Sequence, residues 1–195
     1  GYRIARVAAK IACGKTLDEI PNAVTRKTMA AFEPALDYCV VKIPRWPFDK
    51  FRRADRSLGT QMKATGEVMA IDRSFAAALQ KAVRSLETDA PDLLWENPAW
   101  TDPDRLALDV RVASDERLWA LAASLRRGHD EADISRESGV DRWFIRELEG
   151  IVAMERRLAS SEIDDALLWQ GKRLGFSDAQ IAQLSGRDGS DVRER

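Results

Sequence analysis

Two short segments of apolar and β-branched residues, 38–43 and 66–71, constrain the fold of this chain more than any other feature. Each segment is apolar at successive positions, so a strand built from it is apolar on both faces, which is typical of a buried strand. Pro44 and Pro47 follow the first segment, and proline cannot donate to a strand ladder, so we expect that strand to end there. The sequence predicts a small buried sheet with at least two antiparallel strands.

Helical patterns surround these strands. Residues 4–11 repeat apolar side chains at helical spacing, and Gly14 is a natural helix end. Thr16 and Glu19 form a capping-box pattern that predicts a short second helix. Ser74 is placed to cap a helix that closes the sheet segment. The N-terminal part is therefore predicted to combine strands with flanking helices.

The remainder of the chain is predicted to be helical after a linker at residues 88–104, which contain three prolines. The predicted helices begin at an N-cap Ser114, span 143–158 and 163–174, and end with a short helix that has a Ser177–Gln180 capping box and stops at Gly186. The predicted fold class is thus α+β and mostly helical: a few antiparallel strands followed by an all-α domain.

The charge distribution divides the chain near the same point. Residues 1–87 carry 16 Lys and Arg against 9 Asp and Glu, a balance of +7, whereas residues 88–195 carry 15 against 23, a balance of −8. The basic part could face nucleotide phosphates, or it could be an ordinary solvated surface separated from acidic neighbours. We favour the second interpretation because Lys and Arg are mostly exposed in any protein.

Motifs that carry chemistry are absent from the sequence. It has no glycine-rich phosphate loop, no convincing carboxylate pair and no metal-ligand spacing, so no catalytic, cofactor-binding or metal-binding residue is predicted. His129 is expected to be an exposed polar residue, and Cys13 and Cys39 are expected to be inert core thiols, which suits a reducing cytoplasm. For Lys63 and Glu67, four residues apart, we favour a structural role. No apolar run approaches a membrane span, and no signal peptide is visible.

Two features of the acidic part leave alternatives open. Five of the six tryptophans lie after residue 88, and they either fill a small helical core or form a subunit interface. Residues 175–186 and 131–140 resemble the first half of a helix-turn-helix. DNA binding needs cations that neutralise phosphates, and this part has a balance of −8, so simple helix packing is favoured.

Residues 32–51 (FEPALDYCVVKIPRWPFDKF) and 59–71 (GTQMKATGEVMAI) together resemble the end of the first ATP-grasp unit in the large subunit of carbamoyl phosphate synthetase. Residues 1–20 and 74–87 look like the helices that flank this stretch in the family. Residues 117–158 are similar to the family's helical oligomerisation domain. Arg3 and Asp72 depart from the family, which usually has Pro and Gly there.

The resemblance implies two domains: residues 1–87 as the C-terminal part of the carboxyphosphate-forming ATP-grasp domain, and residues 88–195 as a truncated helical oligomerisation domain. The family's domain continues past residue 195, and its metal-binding and phosphate-covering segments are missing here. We therefore expect a fragment that binds no ATP or metal and is inactive in isolation. Its parent would be an ATP-dependent ligase that uses ATP with Mg or Mn.

The family makes carbamoyl phosphate from bicarbonate, ATP and ammonia released from glutamine, in the cytoplasm, for arginine and pyrimidine biosynthesis. The implied partners are a glutaminase small subunit, the rest of the large subunit and further copies of the helical domain, with no nucleic acid and no membrane. By resemblance Leu36 lines the ammonia tunnel, where an apolar wall suits neutral ammonia. Trp119, Trp143 and Phe144 are the interface candidates.

Two other functions stay possible on the sequence alone. Another ATP-grasp carboxylase is disfavoured by the pattern of residues 61–71. A stand-alone helical interaction module, or a nucleic-acid adaptor, is the alternative from a different class of protein.

Overall fold

The computed structural model describes residues 4–33, 35–51 and 53–194. Helices dominate these residues, and they are accompanied by one two-stranded antiparallel sheet. This confirms the predicted α+β, mostly helical fold class. The chain divides into two compact units, Gly1–Asp37 and Tyr38–Arg195. Within the described ranges, no helix is both long and apolar enough to cross a membrane.

The first unit begins with helix α1, Ile4–Ala12, which agrees with the predicted amphipathic helix. Gly14 follows it with φ +89°, a conformation that glycine adopts without steric cost. The predicted second helix is wrong. The backbone N–H of Thr16 does donate to Glu19 Oε2 at 3.0 Å, but residues 17–19 form turns. Cys13 is exposed, which corrects the expectation of a core thiol.

The sheet pairs β1, Cys39–Arg45, with β2, Gly66–Asp72. Both strands were predicted, but Pro44 does not end β1, because it pairs with Glu67 inside the ladder. Each strand of a two-stranded sheet has an unpaired edge, where a missing N–H donor costs no ladder hydrogen bond.

Among the residues that the structure describes, only one face of this sheet is covered. Val41 and Ala70 are cross-strand partners and are buried, whereas Val40, Met69 and Ile71 on the opposite face are exposed. The prediction that both faces are buried is therefore wrong for this chain. The covering element is helix α2, which packs on both strands and leaves the other face open.

Helix α2, Phe75–Arg84, begins where the sequence indicated. The Ser74 side chain accepts a hydrogen bond from the backbone N–H of Ala77 at 3.3 Å, which satisfies one of the free donors of the first turn. Seven of the ten residues of α2 are buried. This short helix is therefore covered on most sides and does not present a wide polar face to solvent. It packs against the sheet on one side and against the helical part on the other.

The second half of the chain is helical, as predicted. A 3₁₀ turn at Pro98–Thr101 precedes α3 (Pro103–Arg111), α4 (Arg117–Arg126), α5 (Glu131–Ser138), α6 (Arg142–Ser160), α7 (Asp165–Arg173), α8 (Asp178–Ser185) and α9 (Gly189–Glu194). The N-cap of α4 is Glu116 rather than Ser114, and it makes no side-chain capping bond. The capping box of α8 is present as predicted, and Gly186 ends that helix with φ +67°.

Residues 88–104 are not an open linker. Leu93 and Trp100 in this segment are each 1% exposed, and α3 already begins at Pro103. A single hydrophobic core contains these residues together with residues of α2, α4 and α6. The core therefore continues through residue 87, and the division into domains at residues 87 and 88 stays a prediction about the parent protein.

Candidate functional site

The helical part carries a partly exposed aromatic patch formed by Phe75, Trp143 and Phe144. Their ring centroids lie 5.0–5.5 Å apart in edge-to-face geometry. Trp143 is 49% exposed and Phe144 is 43% exposed. Exposed aromatic rings are enriched at protein interfaces because they bury a large area on contact. This aromatic patch is the clearest surface for a macromolecular partner.

The patch is held by the first turn of α6 and has a charged rim. The Asp141 side chain caps α6 by accepting from the backbone N–H of Trp143 at 2.8 Å. Arg146 and Arg142 both pair with Glu131, the first residue of α5. Hydrogen bonds from these two guanidinium groups lower the pKa of Glu131. The aromatic rings thus stand beside a compact group of ion pairs.

Trp119, the third interface candidate, lies in the core rather than at the surface. It is 5% exposed, and its Nε1–H donates to the carbonyl oxygen of Asp92 at 2.8 Å. Its ring stacks edge-to-face on Trp95, which stacks in the same way on Trp100. The late tryptophans are therefore divided between core and surface. Trp169, which was not selected from the sequence, is exposed with Arg173 over its ring at 4.7 Å.

Leu36 lies in the first unit, in a segment without helix or strand, and is 63% exposed. The neighbouring Pro34 of the Phe-Glu-Pro segment lies outside the described residues. The apolar side chain is open to contact in this chain, and its role in an ammonia tunnel stays a prediction.

A cavity of about 630 Å³ lies within the second unit. Its walls come from β1, α2, the beginnings of α4 and α6, and residues outside these elements such as Phe48, Leu58 and Trp95. At its rim, Arg56 Nε donates to Asp115 Oδ1 at 2.8 Å, and Arg56 Nη2 donates to Glu116 Oε1 at 2.6 Å. The hydrogen bond to Asp115 is the main reason that the pKa of Arg56 is raised. Arg56 and Asp115 are 59 residues apart, and no local pattern in the sequence indicates that they pair.

Lys63 and Glu67 do not form a pair with each other. The Lys63 ammonium donates to Asp55 Oδ2 at 3.0 Å and to the carbonyl oxygen of Ser57, whereas Glu67 pairs across the sheet with Lys42 at 2.6 Å. The backbone N–H of Ser57 is the main cause that lowers the pKa of Asp55 to about 2. The Lys63 contacts lie in the connection between the strands and the Glu67 contact lies across the sheet, and the structural role favoured for both residues stays a prediction.

Groups that could ligate a metal do not come together: across residues 4–33, 35–51 and 53–194, no three His, Cys, Asp or Glu side chains form a suitable cluster. Cys39 is half-buried and is the first residue of β1. His129 is exposed, and its Nδ1 lies 2.6 Å from Ser124 Oγ.

The fold and the aromatic patch together define a small α+β protein with a helical part suited to protein assembly. Comparison with known proteins gives the family. The profile described as "Carbamoyl-phosphate synthetase large chain, oligomerisation domain" matches residues 67–195. The chain belongs to the carbamoyl-phosphate synthetase large chain family, as the resemblance in its sequence implied.

Curated relatives match along almost the whole chain. The carbamoyl phosphate synthase large chain of Thermomicrobium roseum is 63% identical over 193 residues, which is 99% of this chain and 18% of the relative. The carbamoyl phosphate synthase large chain of Thermoanaerobacter sp. is 53% identical over 193 residues, which again cover 99% of this chain and 18% of the relative. The large chain, N-terminal section, of Methanopyrus kandleri is 48% identical over 211 aligned residues, covering 100% of this chain and 37% of the relative. The chain thus spans about a fifth to two fifths of the length of these relatives.

Proposed function

We propose that this chain is a segment of the large subunit of glutamine-dependent carbamoyl phosphate synthetase. The whole enzyme would be a cytoplasmic ATP-dependent ligase, using ATP with Mg or Mn to make carbamoyl phosphate from bicarbonate and glutamine-derived ammonia for arginine and pyrimidine biosynthesis. The identity of 63% across 99% of the chain supports this proposal. Within the enzyme, the segment would support the first ATP site, the ammonia tunnel and subunit assembly.

Assembly is the role that the geometry of the chain supports best. The single observation that carries it is the aromatic patch, with Trp143 and Phe144 nearly half exposed on α6. This helix lies inside the residues that match the family's oligomerisation domain. Closed two-fold contacts are the default for such surfaces. We expect a weak homodimer with a dissociation constant in the micromolar range. This corresponds to a binding free energy of roughly −8 kcal/mol. The glutaminase small subunit and the rest of the large subunit are the other expected partners.

The ion pairs of the helix-turn-helix-like segments favour assembly over nucleic-acid binding. Arg142 and Arg146 are held by Glu131, and Lys172 and Arg193 both pair with Asp178. Phosphate binding depends on cations that can exchange small counterions for the nucleic acid. Here Glu131 and Asp178, one in each segment, already hold cations from neighbouring residues, and residues 175–186 contain no Lys or Arg of their own.

Sedimentation velocity across a wide concentration series tests the assembly role. Trp143→Ala combined with Phe144→Ala should weaken self-association by roughly tenfold or more, since exposed aromatic anchors dominate interface energies. Trp169→Ala is the matched control, because Trp169 is an exposed helical tryptophan outside the aromatic patch. Circular dichroism should show that all variants keep their helices. A wild-type chain that is monomeric well above micromolar concentration would contradict the proposal.

A further inference from the structure

Gly150 interrupts the exposed side of α6 with a position that has no side chain. A Cβ atom added to Gly150 would have nothing within 4 Å among the residues that the structure describes. Glycine destabilises a helix interior relative to alanine, so a glycine in the middle of a long helix needs a reason. Packing supplies that reason for Gly171 in α7, where an added Cβ would lie 3.5 Å from Leu158 Cδ1. Gly150 instead leaves room on the outer face of α6 that no described residue fills.

Gly150 is also the midpoint between Trp143 and Arg157 on the same helix. Each of them lies seven residues from Gly150, which is close to two helical turns, so the three positions share one face of α6. All three residues are exposed. Trp143 belongs to the aromatic patch, whereas the guanidinium of Arg157 has neither an ion pair nor a hydrogen bond within residues 4–33, 35–51 and 53–194.

We propose that α6 packs in antiparallel orientation against α6 of a second copy of this chain, with Gly150 at the two-fold axis. This inference rests on the proposed assembly role and names its contact. In a two-fold contact, one residue meets a second residue of the other copy, and the reverse contact forms as well. In an antiparallel pair centred on Gly150, Trp143 of each copy faces Arg157 of the other, since both lie about 10.5 Å from the centre along the helix.

The side chains that this arrangement brings together are chemically complementary. A guanidinium group is attracted to the face of a tryptophan ring, and the two-fold axis forms the pair of Trp143 and Arg157 twice. The distance between two packed helices depends on the side chains at the crossing, so a glycine there permits a close approach. The charged residues within about one helical turn of Trp143, or paired with such residues, do not repel Arg157, because they include two of each sign: Arg142, Arg146, Glu131 and Glu147.

Oxidative cross-linking of the 195-residue chain tests the position of the two-fold axis. A disulfide forms only when two Cα atoms lie roughly 4.4–6.8 Å apart, so Gly150→Cys should be cross-linked through residue 150 by air and copper phenanthroline. Mass spectrometry of the peptides identifies this link at concentrations where sedimentation velocity shows a dimer. Ala159→Cys is the matched control, because Ala159 is exposed on α6 but nine residues away, on the opposite side of the helix. It should give no link through residue 159. Cys13 and Cys39 are present in both variants.

Dimer affinities separate this contact from the assembly role itself. Gly150→Gln fills the gap without changing charge, so it should weaken the dimer by roughly tenfold or more. Its urea midpoint, measured below micromolar concentration, should not fall, since glutamine is a better helix former than glycine. Ala159→Gln should leave the dimer affinity unchanged. Arg157→Ala should weaken the wild-type dimer several-fold but have little further effect when combined with Trp143→Ala, as expected for two side chains that contact each other.

The possible results distinguish failure of this contact from failure of the assembly role. The contact is overturned, with the assembly role intact, if a dimer that depends on Trp143 and Phe144 is unaffected by Gly150→Gln. It is also overturned if Gly150→Cys forms no link through residue 150, or if the effects of Arg157→Ala and Trp143→Ala simply add. A wild-type chain that stays monomeric well above micromolar concentration overturns both the contact and the assembly role.

Discussion

The side-chain amide of Gln180 donates to Gln80 Oε1 at 3.2 Å, and both side chains are 1% exposed. Gln80 Nε2 in turn donates to the carbonyl oxygen of Leu174 at 2.9 Å, and Arg84 donates to that of Gly175 at 2.8 Å. Buried amides are costly unless their hydrogen bonds are made, so these bonds fix one position of α2 against the turn between α7 and α8.

Gly175 is the residue that allows this close approach. Its φ is +91°, and a Cβ atom placed on it would lie 2.8 Å from Ala77 Cα, which is backbone and cannot move aside. Gly175→Ala should therefore lower the free energy of unfolding by about 2–4 kcal/mol, from backbone strain together with steric overlap. Urea unfolding followed by tryptophan fluorescence and circular dichroism measures this loss.

Gly186→Ala is the matched control for that substitution. Gly186 also ends a helix with a positive φ, +67°, but nothing lies within 4 Å of an added Cβ. Only the conformational cost applies there, about 1–2 kcal/mol. If both variants lose the same free energy of unfolding, the contact between Gly175 and Ala77 is unimportant.

The ion pair between Arg126 and Glu155 predicts a second large effect. Glu155 is 5% exposed and accepts two hydrogen bonds from Arg126, at 2.7 and 2.9 Å. Arg126 also donates to the carbonyl oxygen of Leu93 at 2.6 Å, which ties α4 and α6 to the segment before α3. Glu155→Ala removes two hydrogen bonds from a largely enclosed guanidinium that keeps Glu96 as its other carboxylate partner, and it should cost about 1.5–3 kcal/mol.

The control for Glu155 is Glu149→Ala on the exposed side of the same helix. It should change the free energy of unfolding by less than about 0.5 kcal/mol, as surface substitutions usually do. A loss at Glu155 no larger than at Glu149 would contradict the structural role of the pair.

The stability of the chain should depend on pH through Glu96. Burial acts to raise the pKa of Glu96, but hydrogen bonds from Arg127 and Arg126 outweigh it, and the pKa falls below its ordinary value of 4.5. A lowered pKa means that the folded chain binds fewer protons than the unfolded chain. The stabilisation is therefore complete above pH 4.5 and is lost as the pH falls through the folded pKa.

Comparison of wild type with Glu96→Gln measures this dependence. The wild type should be the more stable of the two near neutral pH, and the difference should shrink as the pH falls below about 4.5. A difference that stays constant across this range would mean that the ionised form of Glu96 contributes nothing specific.

Local patterns in the sequence placed most helices and both strands, because periodic apolar residues and caps act over a few positions. The same patterns did not predict correctly which faces of the strands are buried. Residues 38–43 and 66–71 are apolar on both faces, yet in this chain α2 covers only the face of Val41 and Ala70. An apolar pattern indicates that a face can be buried, but it does not indicate which element covers it.

The long-range contacts could not be predicted from such patterns. Gln80 and Gln180 are 100 residues apart, and Arg56 and Asp115 are 59 apart. Nothing in a single polar residue identifies its distant partner. Local patterns also do not distinguish the tryptophans after residue 88 from one another. The fold buries Trp100 and Trp119 but leaves Trp143 and Trp169 exposed.

Leu36 provides a test of the proposed ammonia tunnel in the full-length large chain. Because Leu36 is 63% exposed in this chain, Leu36→Trp should not disturb a core here. In the complete glutamine-dependent enzyme, glutamine hydrolysis should continue while carbamoyl phosphate made from glutamine falls. Synthesis from external ammonia should suffer less, since ammonia that enters nearer the reaction site avoids the obstructed passage.

Leu36→Met is the control, because it keeps an apolar side chain of similar volume and should leave both activities near wild type. Glutamine hydrolysis, glutamine-dependent synthesis and ammonia-dependent synthesis are measured side by side for the three proteins. Equal losses with both nitrogen sources in Leu36→Trp would indicate a damaged fold or a damaged reaction site, and the tunnel role of this residue would then be wrong.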